Sequence, residues 1–356
     1  MNKPTKTIRT GLSNRDVQFP NMGENLKDAQ RYRKNKAKAY TEGFDEFEKM
    51  AIPVVLNNKY FRCHPNINLY VDLTKSCNCD CSFCIAKVDF ERHDGINEDI
   101  ISILSNAIDL LKEINPSIQI TGGEPTLFCE KLIELFKLIR HKNINKSVLN
   151  TNAFKLNDSL IDAIIKNNIN HINVSRHHYN DDENHSIMKG GINSDELSCC
   201  LKPIKDRVRL QCNLLGDKID TYGEVMQFIA YAYHKLGVDN VSFSMLTPLP
   251  KDSFYKTSII SNVENNPVDA DKILSLVEND NRFRFEKYRG GVACYYEIWK
   301  FFAYEKPMTI MFKYSDNHWL EKADADDELL PDIILHNDGT LSGSWSKDRK
   351  IISKYH

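Results

Sequence analysis

The sequence has no uninterrupted apolar run approaching the ~20 residues that a membrane-spanning helix needs. Its opening residues, Met1-Asn2-Lys3-Pro4-Thr5-Lys6, lack the apolar core of a signal peptide. A cytoplasmic location without membrane insertion is therefore expected. Internal repeats and low-complexity stretches are also missing. Hydrophobic residues at 41% and charged residues at 27% are ordinary for a globular chain, which argues against wholesale disorder and collagen-like fibres. At 356 residues the chain can bury a full core without disulfide staples.

The near-neutral net charge of −2 conceals an imbalance. Residues 1–40 carry ten basic side chains (Lys3, Lys6, Arg9, Arg15, Lys27, Arg31, Arg33, Lys34, Lys36 and Lys38) against Asp16, Glu24 and Asp28. Two readings are open for residues 1–60, a solvated basic extension or a basic arm for a polyanion such as RNA or an anionic peptide. No aromatic-interleaved recognition motif accompanies the charge.

From about residue 66 to 250, short β-branched runs alternate with longer amphipathic segments, the pattern of successive β-α units with parallel strands. The expected strands are Asn68–Leu73, Ser117–Thr121, Ser147–Asn150, His171–Ser175, Val208–Asn213 and Asn240–Ser244. The segments between them place apolar residues at helical spacing, as in Ile100, Leu104, Ala107 and Leu111. The expected fold is α/β, a partial (β/α)6 TIM-like barrel over residues 61–250. Residues 251–356 should form a small mixed α+β C-terminal cap. There Val268–Val277 reads as a helix, Met308–Tyr314 as a strand and Ile333–Leu341 as a hairpin turning at Asp338-Gly339. Thr247–Asp252 reads as the boundary, and Trp299, Trp319 and Trp345 as core.

Functional residues of such folds gather at the carboxyl ends of the parallel strands. Polar signals do follow four of the expected strands: Thr74-Lys75-Ser76-Cys77, Gly122-Gly123-Glu124-Pro125, Thr151-Asn152 and Arg176-His177-His178. The first runs into Cys77, Cys79, Cys81 and Cys84, four of the ten cysteines within eight residues. Three of them have the spacing C-x3-C-x2-C. Three thiolates on one short loop can hold three corners of a cubane cluster and leave one iron without a protein ligand. A zinc site with Cys63, His64 or His93 as helpers is the rival reading, although zinc sites usually present two separated pairs.

The C-x3-C-x2-C of Cys77, Cys81 and Cys84, with Phe83 before the last cysteine and the strand Leu69–Leu73 in front, resembles the signature of the radical S-adenosylmethionine (SAM) superfamily. That resemblance implies an enzyme with one [4Fe–4S] cluster, whose open iron chelates SAM. Thr121-Gly122-Gly123-Glu124-Pro125 is similar to the family's Gly-Gly-Glu motif, which implies that Glu124, with the backbone of Gly122 and Gly123, holds the methionyl ammonium. Thr151, Asn152 and Ser175 are similar to the family's nucleoside-side residues, and Phe83 is expected near the adenine. Helix caps and turn formers are the plainer reading of those three hydroxyl and amide residues. Cys79, a fourth thiol, departs from the pattern and is expected not to bind the cluster.

The resemblance further implies reductive cleavage of SAM to a 5′-deoxyadenosyl radical that abstracts a hydrogen atom from a nucleotide, peptide or small metabolite. An external one-electron donor such as flavodoxin or ferredoxin is implied with it. The Asp338-Gly339 hairpin is followed by no cysteine, so a single cluster and a metal-free cap are expected. Arg176 as an anion contact, His177 or His178 as a polar contact or proton shuttle, and Gln211 and Asn213 as interior amides are the substrate-side candidates. A charged surface loop is the alternative for the histidines. A non-catalytic iron–sulfur or zinc protein that binds RNA or another partner through the basic arm is the alternative for the whole chain.

Overall fold

The computed structural model describes residues 21–64, 67–84, 95–246, 264–265, 267–345 and 349–355. The described residues begin with strand β1 (Asn21–Gly23), the helices Leu26–Lys34 and Lys36–Met50, and the hairpin β2 (Ile52–Leu56) and β3 (Lys59–Cys63). Six strands follow: β4 (Asn68–Asp72), β5 (Ser117–Thr121), β6 (Ser147–Thr151), β7 (His171–Ser175), β8 (Val208–Leu214) and β9 (Asn240–Met245). They are parallel and adjacent in sequence order, with helices in every connection. This is the expected (β/α)6 unit, with strand ends within a residue of those read from the sequence.

The helix Ile100–Leu110 buries Ile100, Ile103, Leu104, Ala107 and Ile108, a stripe set by three- and four-residue spacing. In β8 alternate residues are buried, so Arg209, Gln211 and Asn213 share the opposite face. Asn157, Asn180, Asn193 and Thr221 cap the helices that follow them, each accepting a backbone N–H with its side chain.

The C-terminal residues do not sit apart from this unit. Strands β10 (Phe283–Gly291), β11 (Cys294–Phe301) and β12 (Met308–Ser315) form an antiparallel meander whose last member pairs in parallel with β9. On the other flank, β14 (Ile333–Leu335) pairs in parallel with β4 and leads to β15 (Thr340–Ser342) and β16 (Ile351–Lys354). Among the described residues the main sheet thus has thirteen strands, with β1 at one edge and β16 at the other. Strand β13 (Leu329–Leu330) joins β3 and β2 in a small second sheet. The helix read at Val268–Val277 runs from Ala270 to Asn279. In the β14–β15 turn Gly339 alone takes a positive φ, +86°, where a Cβ would lie 2.4 Å from the Tyr355 carbonyl oxygen. The proposed boundary at Thr247–Asp252 lies outside the described residues.

The basic N-terminal segment is corrected by the structure over its described part. It is neither a solvated extension nor a free arm, because its two helices pack on β10 and β11. Arg33 makes a two-pronged contact with Glu297 of β11, Nε and a terminal nitrogen each 2.8 Å from a carboxylate oxygen, and both side chains are buried. Burial alone would lower the Arg33 pKa, but Glu297 and Glu278 hold it above the ordinary value. Lys36 pairs with Asp271, Arg31 with Asp28 and Lys38 with Glu42. Lys3, Lys6, Arg9 and Arg15 lie outside the described residues. No helix among the described residues is long and apolar enough to cross a membrane.

Candidate functional site

A cavity of about 580 Å³ opens at the carboxyl ends of the parallel strands, within the size range of small-molecule sites. Cys77, Cys81 and Cys84 line it, as do Phe83, Gly122, Gly123, Glu124, Thr151, Asn152, Ser175, His177, Gln211 and Asn213. The cysteine loop leaves β4 and is latched to its neighbours by backbone bonds. Gly123 N–H donates to the Thr74 carbonyl, Glu124 N–H to the Ser76 carbonyl at 2.8 Å, and Asp80 N–H to the Met188 carbonyl at 2.8 Å. A Cβ on Gly123 would lie 2.0 Å from the Ser76 carbonyl oxygen. The glycine pair therefore has a task that its sequence did not suggest, letting the β5 turn press against the backbone of the cysteine loop.

The four thiols are not equivalent. All four line the cavity, but Cys77 is exposed and Cys81 and Cys84 are half-buried, whereas Cys79 is buried. Cys79 Sγ accepts from the Asn152 side-chain amide at 3.3 Å and from that of Asn78 at 3.4 Å. Asn152 Nδ2 also reaches Asn78 Oδ1 at 2.9 Å, so this residue ties the β6 end to the loop. Among the described residues, no three His, Cys, Asp or Glu side chains converge closely enough to share one metal ion. A cubane, in which each thiolate takes its own iron, suits three thiols on one short loop, whereas a single zinc more often takes two separated pairs. The zinc helpers do not join the site. Cys63 is a buried residue of β3, and His64 stacks on Phe47 with Nε2 at 2.9 Å from the Phe47 carbonyl. His93 lies outside the described residues.

Glu124 is 1% exposed. Oε1 accepts from Thr126 N–H at 2.9 Å, from the Thr126 hydroxyl at 2.6 Å and from the Thr151 hydroxyl, while Oε2, among the described residues, accepts from Asn152 N–H alone, at 2.6 Å. Burial raises its pKa, and these hydrogen bonds oppose the rise. Glu124 and Thr151 thus cross-link the ends of β5 and β6, while Oε2 retains capacity for one more donor.

The Arg176-His177-His178 segment divides. His177 faces the cavity, its ring edge-on to Phe83 at 5.0 Å between centroids. Its Nδ1 accepts from Asn213 N–H at 3.0 Å. Burial, with the Arg176 charge nearby, lowers its pKa to about 4. A ring held neutral in this way does not suit the proton shuttle expected of it, though Nε2 stays available as a polar contact. Arg176 and His178 are not among the cavity-lining residues. The Arg176 guanidinium turns inward to the His178 and Ile192 carbonyls, Asp181 and Ser194, so its expected role as an anion contact is corrected to one of fastening the loop after β7.

Sequence reasoning missed part of the lining. Tyr70, Cys294, Tyr296, Lys313, Asp332 and Trp345 also line the cavity. Trp345 is 42% exposed and packs on Tyr70 at 5.1 Å, so it is not the core residue expected, whereas Trp299 is. The signal that could have found this part is the period-two spacing of Cys294 with Tyr296 and of Lys313 with Ser315.

Residues 71–232 match the model of the radical SAM superfamily. They form a radical SAM domain. Such domains use a [4Fe–4S] cluster and SAM. The radical SAM domain also aligns with GTP 3′,8-cyclase of Clostridium botulinum, 29% identical over 167 residues, covering 43% of this chain and 50% of that protein. The Helicobacter pylori enzyme of the same name is 28% identical over 172 residues, covering 46% and 51%. The chain thus spans about half the length of the curated relatives it matches. Among solved structures, SuiB of Streptococcus suis bound to S-adenosylmethionine superposes with a TM-score of 0.51 at 14% identity, over 90% of this chain and 65% of that one. That likeness establishes the fold, and it extends beyond the radical SAM domain into the C-terminal strands.

Proposed function

We propose that the chain is a radical SAM enzyme with one [4Fe–4S] cluster held by Cys77, Cys81 and Cys84. What supports this reading is the difference among the thiols that line the cavity, three exposed or half-buried and the fourth buried and held by the Asn152 and Asn78 amides. When bound, the cluster supplies an electron that cleaves SAM to methionine and a 5′-deoxyadenosyl radical, which takes a hydrogen atom from the substrate. The protein's part is to bind, align and shelter. Glu124 Oε2, with a single internal donor, accepts from the methionyl ammonium. Thr151 is spent on Glu124 and supports that carboxylate, whereas Ser175 and the Asn152 backbone border the nucleoside side. Phe83, edge-on to His177, gives an apolar surface for the adenine. Gln211 and Asn213 face the interior from β8 as candidate substrate contacts. A reduced flavodoxin or ferredoxin is the proposed electron source.

Anaerobic loading with iron and sulfide should give about four irons per chain, and dithionite with SAM should then yield 5′-deoxyadenosine. A value near eight irons would overturn the single cluster. Absence of 5′-deoxyadenosine from fully loaded protein would overturn the enzyme reading.

A further inference from the structure

Strand register brings one row of polar residues together across four neighbouring strands. Tyr296 of β11 is opposite Lys313 of β12, Lys313 is opposite Ser244 of β9, and Ser244 is opposite Asn213 of β8. Residues in register share a face of a sheet, and all four line the cavity. Only Asn213 belongs to the segment that matches the radical SAM model. The other three are supplied by strands that follow it.

The row is electropositive. Arg289 of β10 continues it beyond Tyr296, and Arg209, on the inward face of β8, lies near enough to Arg289 to feel its charge. Among the described residues, no carboxylate forms an ion pair with Lys313 or Arg209; Lys313 hydrogen-bonds to Tyr296, and Arg209 donates to the Asn240 side chain at 3.1 Å. Asp332 also lines the cavity within electrostatic reach of Lys313, and burial favours its neutral form. Tyr296, Cys294 and Asp332 favour the charged form of Lys313 against the effect of burial, so a half-buried ammonium lines the cavity where an anion can reach it.

We propose that Lys313, with the hydroxyls of Tyr296 and Ser244 beside it, is the anion-recognition point of the substrate cavity, so that the molecule acted upon carries a carboxylate or a phosphate. The word substrate here rests on the radical SAM reading; the anion site itself does not. The cysteine loop and Lys313 line one cavity from different strands, the loop after β4 and β12, so the proposed anion site and cluster site open into the same chamber.

The test titrates cluster-loaded, SAM-saturated protein with inorganic phosphate and, separately, with acetate, followed by ligand-observed NMR. Saturable binding of at least one anion is expected, weakened about tenfold or more by Lys313→Met and kept within about twofold by Lys313→Arg. Preference for phosphate identifies a phosphate ester, and preference for acetate identifies a carboxylate. Near-UV circular dichroism and iron content verify that Lys313→Met is folded and loaded. Equal binding by wild type and Lys313→Met, or no saturable binding of either anion by wild type, would overturn the proposal. Lys313-dependent binding in a protein that forms no 5′-deoxyadenosine would sink the enzyme reading and leave the anion site standing.

Discussion

The two walls of the cavity are built from different kinds of information. One, from β4 to β7, consists of short motifs at strand ends, each legible within a few residues and latched by backbone bonds such as Glu124 N–H to Ser76. The other, from β9 to β12 together with Asp332, has no motif at all. Its residues meet only because antiparallel pairing puts Tyr296 opposite Lys313 and parallel pairing puts Lys313 opposite Ser244. Cofactor chemistry constrains sequence locally, because one cluster must be wrapped by one loop. Substrate recognition is distributed over strands and is visible only in register. The two walls should therefore fail independently.

The largest effect belongs to the motif wall. Cys81→Ala should abolish the cluster chromophore and all SAM cleavage, while Cys79→Ala should keep both, since its thiol is buried and held by two amides. Both variants should still bind phosphate or acetate through Lys313. Loss of the cluster in Cys79→Ala would reverse the ligand assignment, and loss of anion binding in Cys81→Ala would join the two walls into one.

Arg33 supplies the complementary break. Glu297 points from β11 toward the N-terminal helices while its neighbour Tyr296 faces the cavity, so the Arg33–Glu297 pair fixes the outer side of the strand that presents the substrate wall. Arg33→Ala leaves a carboxylate of 0% exposure without its partner. Stability should fall by about 3–5 kcal/mol in chemical denaturation. Arg33→Met with Glu297→Met should recover most of that loss, because the penalty is that of an uncompensated charge. Cluster loading of the folded Arg33→Ala protein should be unchanged, and a loading defect as large as that of Cys81→Ala would contradict the separation.

This pair also marks where the sequence stops being legible. The six parallel strands and the cysteine, Gly-Gly-Glu and Thr-Asn segments could be read because each is local: β-branched runs separated by helical periodicity, with polar residues at the ends. Arg33 looked like one charge in a basic run, since its partner lies 264 residues away. Strands β10 and β11 were missed for a related reason. Phe283–Gly291 carries Arg284, Glu286, Lys287 and Arg289, a density of charge that hides a strand, and its turn to β11 uses Ala293 at a φ of +58°, which no turn-forming residue type announces. The anion contact expected at Arg176 was misplaced because a charge after a strand can point either way, and only its hydrogen bonds to Asp181 and Ser194 show that it points inward.

The smallest effect probes the substrate wall through its own acid. The groups around Asp332 are Asn68, which donates to it at 3.2 Å, together with Lys313, Asp324, Tyr70 and Cys294. Burial is the largest influence and lifts its carboxyl from 3.8 to about 7, against the pull of the Asn68 hydrogen bond and the Lys313 charge. An acid whose pKa rises on folding contributes stability that is full below its ordinary carboxylate range and is lost as the pH climbs toward 7. Asp332→Asn should therefore flatten the stability profile between about pH 4 and 7 by an amount on the order of 2–4 kcal/mol, read from denaturation midpoints. The same ionisation places a negative charge within electrostatic reach of Lys313. Anion affinity of the wild type should accordingly rise as the pH is lowered through 7, by a few-fold, and Asp332→Asn should hold the high-affinity value across that range. If phosphate and acetate binding have the same pH dependence in both proteins, after allowance for the titration of phosphate itself, Asp332 does not share a site with Lys313, and the two sides of this wall do not act on one ligand.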